Sequence, residues 1–213
     1  MTGDGVERRQ VIRLGLAVPA GLVLAGCTDE ANPPPRAGGA PAATPGDSLP
    51  PTPACVDGDD ETPEQTEGPY FTPGSPERAD LREPGIAGTT LVLTGTVLGV
   101  DCRPVERALL DFWQADDAGE YDNDGFRLRG HQFTAADGAF RLSTIVPARY
   151  TGRTRHIHVK VQAPGSSVLT TQLYFPGEPG NADDGIFNEA LLLGEYAERD
   201  GGRAGRFTFV VAT

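Results

Sequence analysis

The chain is poor in positive charge and has no long apolar run. Its 213 residues include 18 Lys and Arg against 30 Asp and Glu, a formal net charge of -12, with Lys160 as the single lysine. A protein that binds nucleic acid needs a basic surface toward phosphate, so this composition argues against nucleic acid as a partner. The apolar run 14–26 would rise only about 20 Å as a helix, too short for a hydrocarbon core of about 30 Å.

The first third of the chain lacks aromatic residues. All nine Phe, the five Tyr and the one Trp lie between Tyr70 and Phe209. Because large aromatic side chains dominate the burial of apolar surface, the folded part is expected in roughly the last 150 residues, the usual size of one domain. We find no internal repeat and expect no second folded domain.

The N-terminal segment has the pattern of an export signal. Arg8 and Arg9 precede the apolar run, which ends in Leu-Ala-Gly before Cys27. The segment resembles a twin-arginine signal followed by a bacterial lipoprotein cleavage site, so residues 1–26 are predicted to be removed and Cys27 to receive lipid. A buried helix is the alternative, although Pro19 and Gly21 disfavour it. We therefore expect an exported protein that meets the membrane only through a lipid anchor.

The next segment reads as a tether. Residues 27–54 contain eight prolines among Gly, Ala, Ser and Thr, a composition without a core. The folded domain is then predicted over 55–213. If Cys27 carries lipid, Cys55 and Cys102 remain as an even pair outside the reducing cytoplasm, and we predict a disulfide between them. Two free buried thiols are the alternative.

From residue 89 onward the pattern is all-β. Short β-prone runs separated by Gly, Pro and Asp predict an antiparallel β-sandwich of two sheets, with loops that carry the functional site. The predicted strands are 89–100, 108–114, 138–146, 156–162, 168–175 and 206–211. Only Phe187 to Leu193 looks helical. Similar prealbumin-like sandwiches also occur as noncatalytic surface modules that bind carbohydrate or protein, and fold alone does not decide between the two.

Two of the three histidines lie two residues apart in a predicted strand. Side chains at i and i+2 of a strand share a face, so His156 and His158 can converge on one metal ion. The alternative is the polar face of an edge strand. A zinc or copper site would need further ligands from His131, an acid or a tyrosine.

Four segments stand out around the histidine pair and elsewhere in the predicted domain. They are Thr-Pro-Glu-Gln-Thr-Glu-Gly-Pro-Tyr at 62–70, Trp-Gln-Ala at 113–115 with Gly-Glu-Tyr at 119–121, Tyr-Thr-Gly-Arg-Thr-Arg-His-Ile-His at 150–158, and Leu-Thr-Thr-Gln-Leu-Tyr-Phe at 169–175. In this order they resemble the intradiol ring-cleavage dioxygenases. The resemblance covers most of residues 62–211. It implies a prealbumin-like sandwich and an enzyme that cleaves a catechol between its hydroxylated carbons with O2, giving a cis,cis-muconate.

The resemblance also implies the ligand set. Tyr121, Tyr150, His156 and His158 would bind a non-haem ferric ion, with Tyr150 displaced by the catechol and acting as its base. Phenolate oxygens are hard anionic donors suited to Fe(III). The family is often oligomeric, so a homo-oligomer is possible.

Further roles follow by the same resemblance. Arg153 would stabilise charge that develops on the substrate, and Gln172 would lie close by, although a surface salt bridge and an ordinary strand residue are the alternatives. Tyr70 would line the substrate pocket, or else belong to the core. Trp113 is expected in the core and His131 in a loop.

One interval departs from the family. The chain from Tyr150 to Arg153 is shorter than in the protocatechuate and catechol enzymes, so a loop that shapes their pockets is missing. An open site on an exported protein suggests lignin-derived or plant catechols as substrates.

Overall fold

The part of the chain that the structure describes forms eight strands in two sheets. The computed structural model describes residues 61–150 and 152–213. In chain order the strands are β1 (Thr90–Gly99), β2 (Leu109–Trp113), β3 (Arg129–Phe133), β4 (Ala139–Ile145), β5 (His156–Gln162), β6 (Leu169–Tyr174), β7 (Gly194–Arg199) and β8 (Gly202–Val211).

Each sheet contains four strands. One has the order β4-β1-β8-β7 and the other β3-β2-β5-β6. The predicted β-sandwich is confirmed, and the second sheet is antiparallel throughout. The first sheet differs from the expectation at one pairing, because β1 and β8 run parallel from Leu91↔Arg203 to Gly99↔Val211. Two strands from opposite ends of the domain meet there without a hairpin.

The hydrophobic core lies between the sheets. Strand alternation directs one set of side chains inward, and these are almost fully buried. The second sheet contributes Leu110, Phe112, Ile157, Val159 and Leu173, which meet Leu91, Leu93, Phe140, Leu142 and Phe209 of the first. The alternate positions of β5, including both histidines, therefore lie on the outer face of the second sheet.

The N-terminal part of the described chain lies over this outer face. We call residues 61–76 the covering segment. Its backbone is held by β6, since the Thr171 hydroxyl donates to the Pro63 carbonyl at 2.7 Å and the Gln172 amide to the Thr66 carbonyl at 2.9 Å. The side chains of this outer face are consequently enclosed, although they do not belong to the core.

Three expectations about local structure were wrong. Arg129–Phe133 and Gly194–Arg199 form strands that the pattern did not predict, because their sequences, RGHQF and GEYAER, lack apolar alternation. His131 accordingly lies in β3 and not in a loop. The expected helix at 187–193 is only a short 3-10 turn, Glu189–Leu191. The Asn188 side chain caps this turn and Leu192 returns to an extended conformation.

Several predictions concern residues that the structure does not describe. Cys27 and Cys55 lie outside the described residues. Cys102 is disulfide-bonded, and its pairing with Cys55 stays a prediction. Within residues 61–150 and 152–213, no helix is long and apolar enough to span a membrane.

Candidate metal centre

The centre of the site is the histidine pair on β5. The antiparallel register places His156 opposite Tyr174 and His158 opposite Gln172 on β6. Both imidazoles are buried, and their Nε2 atoms are 3.1 Å apart. Two nitrogens that each lie about 2.1 Å from one ion, at a right angle, would be separated by roughly 3 Å. The pair therefore has the spacing of two ligands of a single ion.

The surroundings keep both imidazoles neutral. Burial, and after it the positive charge of Arg153, lowers the pKa of His156 to about 4. Burial and the adjacent His156 lower the pKa of His158 well below its usual value. The Nδ1 of His156 lies 2.7 Å from the Thr154 carbonyl and can donate to it, which leaves Nε2 as the free donor atom.

Tyr121 and Tyr150 complete a cluster of rings around the pair. The Tyr121 ring centroid lies 6.1 Å from that of His158, and the Tyr150 centroid lies 5.7 Å from that of His156. The two tyrosine rings are themselves 5.7 Å apart and nearly perpendicular. Four side chains from two loops and one strand thus meet above the outer face of the second sheet.

A glycine allows the two tyrosine loops to approach each other. Gly119 has φ +87°, and a Cβ atom at this position would lie 2.6 Å from the carbonyl oxygen of Arg149. No other residue could adopt this conformation so close to the neighbouring backbone without moving it. The Gly-x-Tyr pattern therefore has a structural reason, because it brings Tyr121 beside Tyr150.

The Tyr121 hydroxyl lacks a hydrogen-bond partner. Its oxygen is buried without one among the described residues. Burial, followed by the neighbouring Tyr150, raises the pKa of the Tyr121 phenol above its usual 10, while the charges of Arg153 and Arg129 act in the opposite direction. A buried polar atom without a partner is costly, and coordination of a cation would satisfy it.

The donor set fits ferric iron. Two neutral imidazoles and two phenol oxygens combine borderline and hard ligands, as Fe(III) requires. Across the described residues, no group of three or more His, Cys, Asp and Glu side chains is arranged for a metal ion. The oxygen donors near the histidine pair are the tyrosines.

Arg153 is held beside the cluster by a buried carboxylate. Its Nε donates to Asp184 at 2.9 Å, and its Nη2 donates to the Gln172 side-chain oxygen at 2.6 Å. Asp184 also accepts from the amides of Thr154 and Ile186, at 2.9 and 3.1 Å. The sequence analysis named Arg153 and Gln172, and the structure brings them together. It missed Asp184, which lies in a loop without a local signal.

Tyr174 was also missed, although its position opposite His156 follows from antiparallel pairing. Its hydroxyl donates to the Gln65 side chain at 2.8 Å and lies 3.3 Å from Arg153 Nη2. Burial raises the pKa of Tyr174 to about 12, against the opposing charge of Arg153. The phenol therefore stays neutral and connects the covering segment to the arginine.

Tyr70 and Trp113 frame the cluster on its other side. The Tyr70 ring stacks on Tyr121, with centroids 4.4 Å apart and an interplanar angle of 16°. Trp113 is 1% exposed, as expected of a core residue, but it lies on the outer face and stacks on His158 at 4.8 Å. It supports an imidazole and does not pack between the sheets.

Two other residues lie apart from the cluster. Arg155 forms an ion pair with Glu178 at 3.1 Å, away from the histidine pair. His131 Nδ1 lies 2.7 Å from the Ser75 carbonyl, at the edge of the sheet.

Comparison with known proteins identifies the family. The family model described as "Dioxygenase" matches residues 66–210, which includes every ring of the cluster. The chain is 34% identical over 152 residues to catechol 1,2-dioxygenase 2 of Acinetobacter lwoffii, a match that covers 59% of this chain and 55% of that one. The chain belongs to the intradiol ring-cleavage dioxygenase family.

A second relative in the intradiol dioxygenase family is similar to this chain to about the same extent. The match to hydroxyquinol 1,2-dioxygenase of Nocardioides simplex is 32% identical over 156 residues and covers 62% of this chain and 53% of the relative. The chain thus spans about half the length of these curated relatives.

Solved intradiol dioxygenase structures superpose on the sandwich. One is the dioxygenase domain of a dioxygenase and carbohydrate-binding protein fusion from the cellulolytic bacterium Streptomyces sp. SirexAA-E. It is 56% identical with a TM-score of 0.70, covering 72% of this chain and 99% of that one. Another is 3-chlorocatechol 1,2-dioxygenase from Rhodococcus opacus 1CP, at 30% identity and a TM-score of 0.66, covering 71% and 72%.

Proposed function

We propose that the protein is a non-haem Fe(III) intradiol dioxygenase that cleaves a catechol-type ring between its hydroxylated carbons with O2 and releases a cis,cis-muconate. One observation carries the proposal: the Tyr121 hydroxyl, buried and without a hydrogen-bond partner among the described residues, lies in a cluster with two neutral imidazoles whose Nε2 atoms are 3.1 Å apart. Family membership supports the same reaction.

Four side chains would hold the metal. Tyr121, His156 and His158 would be permanent ligands, because the Tyr121 oxygen and both imidazoles are buried, and Tyr150 would be the ligand that the substrate displaces. Ferric iron, when bound, supplies the Lewis acidity that activates a catechol toward O2. In this scheme Tyr150 would hold the ion as a phenolate, and on release its phenolate oxygen would accept a proton from a catechol hydroxyl and become a neutral phenol.

The remaining polar residues act on the substrate. Arg153 keeps one fixed orientation, since Asp184 and Gln172 both accept from its guanidinium. A cation held in this way needs no rearrangement to stabilise negative charge that develops on the ring. The rings of Tyr70, Tyr121 and Tyr150 form an aromatic wall, in which Tyr70 is perpendicular to Tyr150 at 5.9 Å. A flat aromatic diol suits such a wall.

The visible spectrum of the purified full-length protein, loaded with ferric iron, tests the proposal. We expect a phenolate-to-iron charge-transfer band that shifts when catechol is added without oxygen, and muconate formation once O2 is admitted. Catechol, hydroxyquinol and 3-chlorocatechol, which occur in the names of the relatives, form the first substrate panel. A protein that stays colourless with iron would overturn the proposal and favour a noncatalytic surface module.

Tyr121→Phe provides the residue-level test. Loss of its oxygen is expected to remove most of the charge-transfer band and to lower kcat by more than 100-fold, because a permanent ligand is missing. Tyr196→Phe is the matched control, since Tyr196 packs against Phe175 and Arg203. Equal activity of the two variants would contradict the assigned ligand set.

We also propose that the protein is exported by the twin-arginine route, that Cys27 carries lipid and that Cys55 pairs with Cys102. The sequence pattern of residues 1–55 supports the proposal. Mass spectrometry of the membrane fraction, with and without reduction, is expected to find a lipid-modified N-terminal Cys27 peptide and a Cys55–Cys102 cross-linked peptide. An unmodified Cys27 would contradict the anchor.

A further inference from the structure

A buried arginine lies in the same row of the sheet as the metal-centre residues. The register of the second sheet pairs Arg129 with Trp113, Trp113 with His158, and His158 with Gln172. Paired residues of neighbouring strands share a face. Arg129 therefore lies on the outer face, two strands from His158, at a backbone distance of roughly 10 Å.

The side chain of Arg129 donates three hydrogen bonds within the described residues, all to backbone carbonyls. It is 1% exposed. Its Nη1 donates to the Tyr70 carbonyl at 2.6 Å, and its Nε and Nη2 donate to the Asp122 carbonyl at 3.0 and 2.6 Å. One guanidinium thus joins the covering segment to the loop that follows Tyr121. These are the two segments whose tyrosine rings stack at 4.4 Å.

No carboxylate of the described residues lies within ion-pair distance of Arg129, although the charges of Asp122 and Asp111 act on it from farther away. None of the ion pairs of the described residues includes it. A buried cation without an anionic partner is costly, and carbonyl oxygens compensate only part of that cost. The planar fork can reach two carbonyls at once, which a lysine ammonium on a flexible stem does less well. An apolar residue would fill the same space without this cost, so the arginine must contribute something other than burial.

We propose that Arg129 is a positioning residue of the metal centre: its forked hydrogen bonds fix the Tyr70 segment against the Tyr121 loop and thereby orient the Tyr121 ring toward the histidine pair. The proposal rests on the proposed function, since it assumes that Tyr121 is a metal ligand. The Arg129 guanidinium also places a positive charge near the Tyr121 oxygen. The negative charge of a metal-bound Tyr121 phenolate would neutralise this charge.

Three variants of the full-length protein test this role. Arg129→Met removes the charge and the fork, while Arg129→Lys keeps the charge and loses the fork. Arg155→Met is the control for loss of an arginine charge, because Arg155 is partly buried, with 29% of its side chain exposed, and loses an ion pair outside the cluster. The first readout needs no iron: NMR of the protein labelled at its five tyrosines, in which stacked rings shield one another. Signals of Tyr70 and Tyr121 are assigned by their Phe variants.

We expect Arg129→Met to lose the mutual shielding of Tyr70 and Tyr121, to bind ferric iron about 10-fold more weakly or worse, and to show a shifted charge-transfer band. Arg129→Lys should show the same changes to a smaller extent, and Arg155→Met none of them. Unchanged ring shielding and an unchanged band in Arg129→Met would overturn the proposal. If Arg129→Met does not fold, Arg129→Lys provides the test. Wild-type shielding of Tyr70 and Tyr121 in Arg129→Lys would contradict the role of the forked hydrogen bonds.

The two proposals fail in different ways. A wild-type protein that gives no charge-transfer band with ferric iron refutes the dioxygenase assignment. The ring shielding in the iron-free variants still shows whether the hydrogen bonds of Arg129 hold Tyr70 against Tyr121. If the wild-type protein is coloured and active, and Arg129→Met has the same ring shielding and the same charge-transfer band, only the positioning role is refuted.

Discussion

Gly119→Ala should separate the two tyrosine loops of the metal centre. The new Cβ atom would lie 2.6 Å from the Arg149 carbonyl oxygen, whereas real Cβ atoms essentially never approach within 3.0 Å, so the loops must part by about 0.4 Å or more. A misplacement of 1 Å can cost about 100-fold in rate, so a shift of this size is expected to lower kcat/KM about 10-fold, equivalent to about 1.4 kcal/mol. Steady-state oxygen consumption with catechol and the intensity of the charge-transfer band measure the effect.

Gly165→Ala is the control for backbone strain. Gly165 has φ +80°, close to the +87° of Gly119, but a Cβ atom there has no neighbour within 4 Å. In both variants an alanine in the left-handed region should lower the free energy of unfolding by about 1–2 kcal/mol. Only Gly119→Ala should also lose activity and iron. Equal kcat/KM in the two variants, at matched loss of stability, would refute the view that Gly119 sets the distance between the loops.

Three further predictions concern named side chains. In the iron-free protein, burial lowers the pKa of His156 to about 4 from 6.5 in the unfolded chain, so the unfolded state binds more protons between these values. The lowered pKa of His156 alone should therefore reduce the free energy of unfolding by about 3 kcal/mol from pH 7 to pH 4, and the lowered pKa of His158 should add to this fall. Urea titrations would show this, and the same profile in His156→Gln would contradict it. Asp184→Asn should lower the free energy of unfolding by about 2 kcal/mol, since a charged hydrogen bond to Arg153 is lost. It should also lower kcat for catechol, because Arg153 is assigned to charge that develops during the reaction, and an unchanged kcat would argue against a positioned Arg153. Tyr174→Phe should destabilise by about 1 kcal/mol with little change in the ferric spectrum, whereas loss of the spectrum would make Tyr174 a ligand.

The strands with apolar alternation could be predicted, and those without it could not. The runs that became β1, β2, β4, β5, β6 and β8 are rich in β-branched and aromatic residues. Arg129–Phe133 has one large apolar residue and forms a strand because β2 offers it hydrogen-bonding partners. The parallel pairing of β1 with β8 is a long-range contact that no local pattern encodes.

Some residues of the candidate site could be predicted from the sequence pattern, some only from the family resemblance, and others not at all. Strand alternation alone placed His156 and His158 on one face. The tyrosines came only from the family resemblance, because a tyrosine in a loop has no distinctive local signal. Asp184 and Arg129 act through partners that are 31 and 59 residues away in the chain, and such pairings are visible only once the register and the loops are known.

The alternating side chains of β5 serve two different purposes, packing of the core on one face and construction of the metal centre on the other. Ile157, Val159 and Val161 face the core, while His156 and His158 between them face the metal centre. Substitutions in the covering segment and the Tyr121 loop can therefore change the walls around the substrate without opening a cavity between the sheets. Libraries of variants confined to these two segments would sample new aromatic substrates at little risk to folding.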